Sequence, residues 1–246
     1  MMAPVASFEA VAEEYDAARP SYPAAVFDAL GDLMGLRVLD VGAGTGIATR
    51  SLIARGASVI AVDPGREVLR RAAVRTRELP AVIADGAVLP VRTGAVDLVC
   101  FAQAWHWLAE STRVAEVHRV LRRGGRWAGW WSHARADGAH WFDAYWSTIS
   151  RSLPDIHRDQ RDVDWGATIA ERGRFYVGER VTVSWIRAIS VDDWMTDQAT
   201  HSYVLGLPEG RRAELLGELR AVLDDQFPEG AMLVPYETWL WVATRI

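Results

Sequence analysis

The first half of the chain repeats one feature, an acidic residue in or directly after a short apolar run. Each run is rich in β-branched or small apolar residues and too brief for a helix, which is typical of a buried parallel strand. The carboxyl ends of parallel strands meet at one edge of an open α/β sheet, where ligands bind. The acids are therefore predicted to face one shared site. They are Asp40, Asp63 and Asp85, and their runs are Val38–Val41, Ser58–Val62 and Ala81–Ala84.

A glycine-rich turn follows the first acid and separates two kinds of ligand. Gly42, Gly44 and Gly46 alternate with small residues, and Ile47–Arg55 then has a helical pattern. A dinucleotide site requires Gly-x-Gly-x-x-Gly, which places a pyrophosphate on the helix N-terminus. Here the third glycine comes one residue early, and Asp40 would repel a pyrophosphate but could accept hydrogen bonds from an ammonium group. The pattern favours a cationic ligand without phosphate, such as S-adenosylmethionine, over a turn that only packs a helix on a strand.

The segment from Asp40 to Gly46 resembles the first motif of the class I S-adenosylmethionine-dependent methyltransferases. The resemblance implies a Rossmann-like α/β fold with a seven-stranded, mostly parallel sheet, an antiparallel last strand, helices on both faces and a helical lid. It also implies that Asp40 and the turn residues Gly42, Ala43 and Gly44 contact the cofactor.

The ends of the next two strands are expected to contact the same cofactor. Asp63, followed by Pro64, could accept both ribose hydroxyls, although an acid here could instead cap the next helix. In the family that the chain resembles, the acid at Asp85 receives the adenine amino group and the residue at Gly86 gives the ring a backbone N–H. Asp-Gly is also a common turn, so both interpretations remain open.

The segment after a fourth apolar run, Val96–Phe101, carries a candidate catalytic residue. Ala102 and Gln103 suit a close approach to the methionine part of the cofactor. The Ala-Trp-His-Trp sequence at 104–107 resembles the reaction site of small-molecule methyltransferases of the quinone-biosynthesis and trans-aconitate type. His106 could act as a general base, because its ordinary pKa lies near neutrality, or could only anchor the loop through a hydrogen bond.

The N-terminal segment contains a second candidate group. Its pattern of Tyr15, Arg19, Pro20, Tyr22 and Pro23 resembles the lid of one methyltransferase branch, which folds over cofactor and substrate. The resemblance assigns cofactor contacts to Tyr15 and Arg19 and makes Tyr22 the second catalytic candidate. The alternative is a surface helix that ends at a proline.

All twelve tryptophans lie after residue 104, so the half with the cofactor motifs has none. Large flat side chains concentrated outside the cofactor motifs predict an apolar or aromatic small-molecule substrate. Five of them surround the predicted fifth strand and the helix beyond it. These five are Trp127, Trp130, Trp131, Trp141 and Trp146.

Composition limits the other partners. The net charge is −5, which argues against nucleic acid or an anionic membrane as a partner. The chain contains no lysine, so Schiff-base lysines and the phosphate-binding lysine of P-loop enzymes are excluded. Cys100, the only cysteine, is predicted to be a buried thiol, and no metal site is predicted. No apolar run is long enough to span a membrane, so we expect a cytoplasmic protein of unspecified oligomeric state.

The length of 246 residues fits a single methyltransferase domain. We divide it into a helical lid over residues 1–30, a cofactor-binding core over 31–135 and a substrate-side half over 136–246 with a helical insert at about 190–228. The expected reaction is methyl transfer from S-adenosylmethionine to a small molecule, governed by proximity and orientation. Two alternatives stay open, an NAD-dependent oxidoreductase in which Asp63 holds the NAD ribose, and an S-adenosylmethionine-binding protein without catalysis.

Overall fold

The structure is a computed structural model that describes residues 19–156, 162–170 and 174–246. Tyr15 and nearly all of the predicted N-terminal helix lie outside the described residues.

Eight strands in the described chain form one sheet. They are β1 (Arg37–Val41), β2 (Ser58–Asp63), β3 (Ala81–Ile83), β4 (Val96–Ala102), β5 (Leu121–Ala134), β6 (Phe175–Val177), β7 (Val181–Ser190) and β8 (Ala231–Arg245). The order across the sheet is β3, β2, β1, β4, β5, β8, β6, and β7 also pairs with β8. The five neighbouring strands β3, β2, β1, β4 and β5 run parallel to one another. Strand β6 pairs antiparallel with β8.

This topology confirms the predicted Rossmann-like fold class, with one strand more than the seven expected. The additional strand is β6, which has only three residues. Such a short run is too brief to show a periodic pattern, which explains why the sequence did not predict it.

Nine helices lie in the described residues. They are α1 (Ala24–Asp28), α2 (Ile47–Ile53), α3 (Arg66–Arg75), α4 (Glu110–Val120), α5 (His140–Ser152), α6 (Trp165–Ala170), α7 (Val191–Ala199), α8 (Ser202–Leu205) and α9 (Glu209–Gln226). The last three occupy the segment in which the sequence predicts a helical insert. Among the described residues, no helix has both the length and the apolar character needed to cross a bilayer.

The chain divides into two compact units. The glycine-turn unit comprises Ser21–Ser132, Asp164–Val183 and Thr238–Ile246, and the described part of the helical unit comprises residues 19–20, 133–156, 162–163 and 184–237. Each unit has its own apolar cluster of buried residues. The prediction of a single domain stays a prediction.

Strand β5 separates two apolar layers in the glycine-turn unit. Trp127 and Trp131 belong to one buried cluster, and Ala128 and Trp130 belong to the other. The alternation follows from strand geometry, in which successive side chains point to opposite faces. Cys100 lies in the second cluster as a fully buried free thiol, and burial raises its pKa well above the usual range. These layers hold the carboxyl ends of β1, β2 and β4 in register.

Candidate active site

The three glycines of the turn after β1 have two kinds of surroundings. All three have positive φ angles, 71° for Gly42, 54° for Gly44 and 81° for Gly46. A Cβ on Gly42 would lie 2.4 Å from the Cβ of Ala104, and one on Gly46 would lie 3.1 Å from the Cβ of Ala72. A Cβ on Gly44 would meet nothing within 4 Å. Two glycines therefore permit close packing, and Gly44 borders open space in which a ligand can approach the backbone.

Asp63 ends β2 and ties this turn to the next helix. Its Oδ2 accepts a hydrogen bond from the Gly44 N–H at 2.9 Å, and its Oδ1 accepts one from the Gly65 N–H at 2.8 Å. Gly65 is the N-cap residue of α3, which has no side-chain cap, so the carboxylate bonds to the residue before the helix and does not itself cap it. A carboxylate oxygen can accept more than one hydrogen bond, so these contacts do not by themselves exclude ribose hydroxyls. Pro64, between these contacts, is exposed.

Asp40 is fully buried in β1, one residue before the strand ends. Its Oδ2 accepts a 2.5 Å hydrogen bond from the Thr49 hydroxyl on α2. Among the described residues, its Oδ1 has no hydrogen-bond partner, and neither does the buried hydroxyl of Thr45 in the turn. Burial raises the Asp40 pKa to about 6, against the opposing effect of the Thr49 bond. The turn thus encloses an unsatisfied carboxylate oxygen, which suits a ligand with a cationic donor.

The Asp85-Gly86 turn lies beside the loop that follows β4. The exposed Asp85 accepts a hydrogen bond on Oδ1 from the Ala87 N–H at 2.8 Å, so it forms the local turn that its sequence permits. Gly86 is buried, and a Cβ on it would lie 2.9 Å from Cδ2 of Leu108. The glycine lets this turn approach the β4 loop closely.

The loop after β4 contains a strained residue. Ala102 ends the strand, and Gln103 has a φ of 58°, a left-handed conformation uncommon outside glycine. The Gln103 N–H donates to the Trp130 carbonyl at 2.9 Å. Backbone strain of this kind concentrates at functional sites. The bend directs the chain into a 3₁₀ turn, Trp105–Trp107, and brings Ala104 against Gly42.

His106 lies within an aromatic group that we call the indole cluster, formed by Trp107, Trp131 and Trp165. The Trp131 Nε1–H donates to His106 Nδ1 at 3.2 Å. The His106 ring centroid is 5.1 Å from that of Trp107 and 5.9 Å from that of Trp165, and Trp131 and Trp165 stack at 4.8 Å and 17°. Burial, with a smaller effect of the Arg113 charge, lowers the His106 pKa to about 4. The bond to Trp131 anchors the loop, the second role that the sequence allowed.

The structure does not bring the two candidate catalytic residues together. Tyr22 packs edge-on against Trp130 at 5.7 Å and Phe27 at 6.4 Å, measured between ring centroids. Trp130 and Trp131 belong to opposite faces of β5, so Tyr22 and His106 contact opposite layers. The structure therefore does not place Tyr22 and His106 where they could act together as one catalytic pair.

Arg19 lies in the helical unit, where its Nε is 3.1 Å from Oδ1 of Asp197. Its predicted contact with the cofactor stays a prediction.

Sequence reasoning missed three contributors to the site, namely Thr49, Ala104 and Trp165. Thr49 is separated from Asp40 by the whole glycine turn, and Trp165 is more than thirty residues from its stacking partner. Ala104 was noted only as part of a motif, whereas its contact with Gly42 depends on the path of the chain. A small residue opposite a conformationally required glycine is a signal only once the two segments are known to meet.

Comparisons with known proteins give consistent similarities. A family model described as a methyltransferase domain matches residues 39–128. An uncharacterised methyltransferase of Mycobacterium tuberculosis H37Rv is 33% identical over 217 residues, which cover 88% of this chain and 85% of that protein.

Two solved structures share the fold. A protein described as a type II methyltransferase from Anaeromyxobacter dehalogenans has a TM-score of 0.69 and 23% identity, over 92% of this chain and 97% of its own. A geranyl diphosphate C-methyltransferase from Streptomyces coelicolor A3(2), solved with Mg²⁺, geranyl diphosphate and S-adenosyl-L-homocysteine, has a TM-score of 0.51 and 18% identity, over 90% and 77% of the two chains.

Proposed function

This chain belongs to the methyltransferase family, and from that premise we propose that it transfers a methyl group from S-adenosylmethionine to a small molecule with an apolar or aromatic body. The observation that carries the proposal is the geometry around Gly44. Its position borders open space, and its N–H is held by the carboxylate of Asp63 at the end of the adjacent strand. A backbone that a ligand can approach, next to a carboxylate acceptor, fits an adenosine group.

The residues of the glycine-turn unit would divide the cofactor among them. Asp63 would accept the ribose hydroxyls, and Asp85 with the Gly86 N–H would receive the adenine edge. Asp40 would accept from the ammonium group, because its Oδ1 has no partner among the described residues. Ala102 and Gln103 would border the methionine part. When bound, S-adenosylmethionine supplies an electrophilic methyl group on a sulfonium.

The contribution of the protein would be mainly orientation. Holding two reactants in line can be worth about 7–11 kcal/mol, without any covalent step on the enzyme. The strained Gln103 and the Ala104 contact with Gly42 fix the loop that carries His106 relative to the glycine turn. Trp107 follows His106 on this loop, and Trp131 and Trp165 stack beside it, so the surroundings of His106 are aromatic, which supports an aromatic or apolar acceptor.

Structural relatives support the choice of cofactor. The geranyl diphosphate C-methyltransferase with this fold was solved with Mg²⁺, geranyl diphosphate and S-adenosyl-L-homocysteine. At 18% identity this likeness concerns the fold, so the acceptor of the present chain is argued from its own residues.

Thermal unfolding with two competing ligands tests the cofactor. S-adenosylhomocysteine at about 100 times its Kd should stabilise the protein by about 2.7 kcal/mol, and NADH at the same concentration should stabilise it less. The reverse ranking would favour the oxidoreductase. Transfer of isotope from methyl-labelled S-adenosylmethionine to a small-molecule extract then separates an enzyme from a protein that only binds the cofactor.

A further inference from the structure

Three basic side chains from three different elements meet around one aromatic ring in the glycine-turn unit. His118 lies on α4, Arg174 directly precedes β6, and Arg245 ends β8. The His118 ring packs edge-on against Phe175 with 5.9 Å between the ring centroids. Phe175 is the direct antiparallel partner of Arg245, and the side chains of direct partners lie on the same face of a sheet. Phe175 therefore has His118 against its ring, Arg245 beside it and Arg174 next to it in the chain.

This basic group has no acid to offset it. Among the described residues, His118, Arg174 and Arg245 form no ion pair with a carboxylate, whereas Arg122 nearby on β5 pairs with Asp97 at 2.5 Å. The pKa of His118 is lowered by burial and then by the charges of Arg245 and Arg174, so both guanidinium groups lie near the ring. Like charges held close together repel each other, and a bound anion would offset this repulsion.

The guanidinium of Arg245 is fixed in place and keeps unused donors. Its NH1 donates to the Leu121 carbonyl, which leaves the other N–H groups without an acceptor among the described residues. Arg174 is exposed, and His118 is half-buried. The planar fork of a guanidinium group matches an anion that presents several oxygens, and an imidazole can donate a further hydrogen bond. The group is thus suited to a small oxyanion with more than one negative charge.

The basic group and the glycine turn lie at opposite edges of the sheet. Leu121, which bonds to Arg245, begins β5 and pairs with Val96 at the start of β4. The glycine turn instead follows the end of β1, which runs parallel to β4. A strand of seven residues such as β4 is about 23 Å long, so one ligand of ordinary size does not reach both places.

We propose that His118, Arg174 and Arg245 form a second ligand site, which binds the phosphate group of a small molecule. A phosphate group carries up to two negative charges near neutral pH and offers several acceptor oxygens to the two guanidinium groups and the imidazole. No bond is made or broken at this site. It is separate from the site proposed for methyl transfer and does not depend on that proposal. Free phosphate and a phosphate ester share this chemistry, and competition distinguishes them.

Sulfate is the first probe, because it is a tetrahedral dianion whose own charge is constant where histidine titrates. Sodium sulfate added at constant ionic strength should shift the ring-proton NMR signals of His118 saturably. These signals are identified by their loss in His118→Gln. Sodium chloride should not reproduce the shift. A shift that does not saturate, or that chloride reproduces, overturns the proposal.

Two arginine variants separate a site from general attraction to positive charge. Arg174→Gln removes one guanidinium of the site and should weaken sulfate binding at least about tenfold, measured by the His118 signals or by calorimetry. Arg123→Gln is the matched control, because Arg123 is an exposed arginine near the start of β5 and carries the same charge. It should change the affinity by less than about threefold. Equal losses in the two variants reject the site. Both variants replace exposed side chains, and thermal unfolding verifies that each is folded.

The dependence on pH tests the part of His118. The charged groups that act on its ring from the neighbouring strands are Arg174 and Arg245, and a bound dianion opposes their effect. Sulfate should therefore raise the His118 pKa, and its affinity should increase as the pH falls through that pKa. His118→Gln should lose this increase. A wild-type affinity that is independent of pH contradicts the assignment of His118.

Competition identifies the source of the phosphate and the place of binding. Inorganic phosphate and glycerol phosphate should displace sulfate, and the tighter competitor shows whether the site prefers free phosphate or an ester. Displacement by neither rejects the phosphate class. Protein saturated with S-adenosylhomocysteine should still bind sulfate, whereas loss of sulfate binding would place the anion in the cofactor site and overturn the proposal. If the protein does not bind S-adenosylhomocysteine, the methyl-transfer proposal fails while the sulfate titration stays readable.

Discussion

Asp40 and Asp63 lie on neighbouring strands, yet their surroundings give them different roles. Asp63 accepts two backbone N–H groups and keeps the turn and α3 together. Asp40 is enclosed, accepts one hydroxyl and has an oxygen without a partner among the described residues. The carboxylate of Asp63 is therefore predicted to affect both stability and ligand binding, and that of Asp40 chiefly ligand binding.

Replacing Asp63 with alanine should therefore affect two properties. The affinity for S-adenosylhomocysteine should fall by about one to two powers of ten, because charge-assisted bonds to the ribose are lost. The melting temperature should also fall by several degrees, since the Gly44 and Gly65 N–H groups lose their acceptor. Calorimetric titration and thermal unfolding measure the two effects.

Asp85→Ala is the matched control, because among the described residues the side chain of the exposed Asp85 bonds only within its own turn. It should weaken cofactor affinity with little change in the melting temperature. Unchanged affinity in Asp63→Ala would remove the ribose assignment.

The raised pKa of Asp40 predicts a pH dependence of binding. The carboxyl holds its proton up to a pKa of about 6 in the folded protein, above its ordinary value near 3.8. Its contribution to stability is therefore greatest at low pH, decreases as the pH rises between these two values, and is constant above them. A bound ammonium group favours the ionised form, so affinity for S-adenosylhomocysteine should rise between about pH 5 and 7 and then level off.

Asp40→Asn should bind more weakly and should lose this pH dependence, while it gains stability over wild type only above about pH 5. Titration calorimetry over that range checks both statements. An Asn variant with the same rising profile as wild type would show that another group titrates.

At the scale of elements, β1, the glycine turn and α2 follow one another along the chain, and the loop after β4 packs against the turn through Ala104. Gly42 and Gly44 provide a matched pair, since both have positive φ angles. Gly42→Ala should be strongly destabilising, because its Cβ would lie 2.4 Å from Ala104. Gly44→Ala should cost only about 1–2 kcal/mol from the backbone conformation, yet it should abolish cofactor binding by filling the open space.

A double variant checks the cause. If the clash with Ala104 explains the loss in Gly42→Ala, then Ala104→Gly should restore part of the stability in the combined protein, measured by denaturant unfolding. Purely additive effects would contradict the contact.

Sequence pattern predicted these elements well because each depends on a few adjacent residues. Strands β1, β2 and β4 follow from apolar runs, and α2 follows from the helical pattern after Gly46. The pattern could not predict that Asp63 would hold the Gly44 N–H or that Trp131 would bond to His106, because such contacts join segments that are distant in sequence. The catalytic candidates were identified by residue type, whereas their protonation and their faces of the sheet depend on packing.

At the scale of the whole molecule, each compact unit contains a buried charge. In the helical unit, Arg187 NH1 lies 2.6 Å from Oδ2 of Asp197 and donates to the Tyr236 hydroxyl at 3.1 Å. The Asp197 carboxylate also pairs with Arg19, and its side chain is only 3% exposed. One buried carboxylate thus joins the start of the described chain, β7 and α7, which are far apart in sequence.

Asp197→Ala should consequently cost about 3–5 kcal/mol, because it leaves buried guanidinium groups without their carboxylate. Asp192→Ala on the same helix is the control, since the exposed pair of Asp192 and Arg220 at 2.6 Å should contribute at most about 1 kcal/mol. The ion pairs lower the Asp197 pKa despite its burial, so this contribution is present above the ordinary aspartate range and is lost as the pH falls below it. The stability difference between wild type and Asp197→Ala should therefore narrow in acid. A difference that stays constant down to about pH 3 would assign the loss to packing and not to charge.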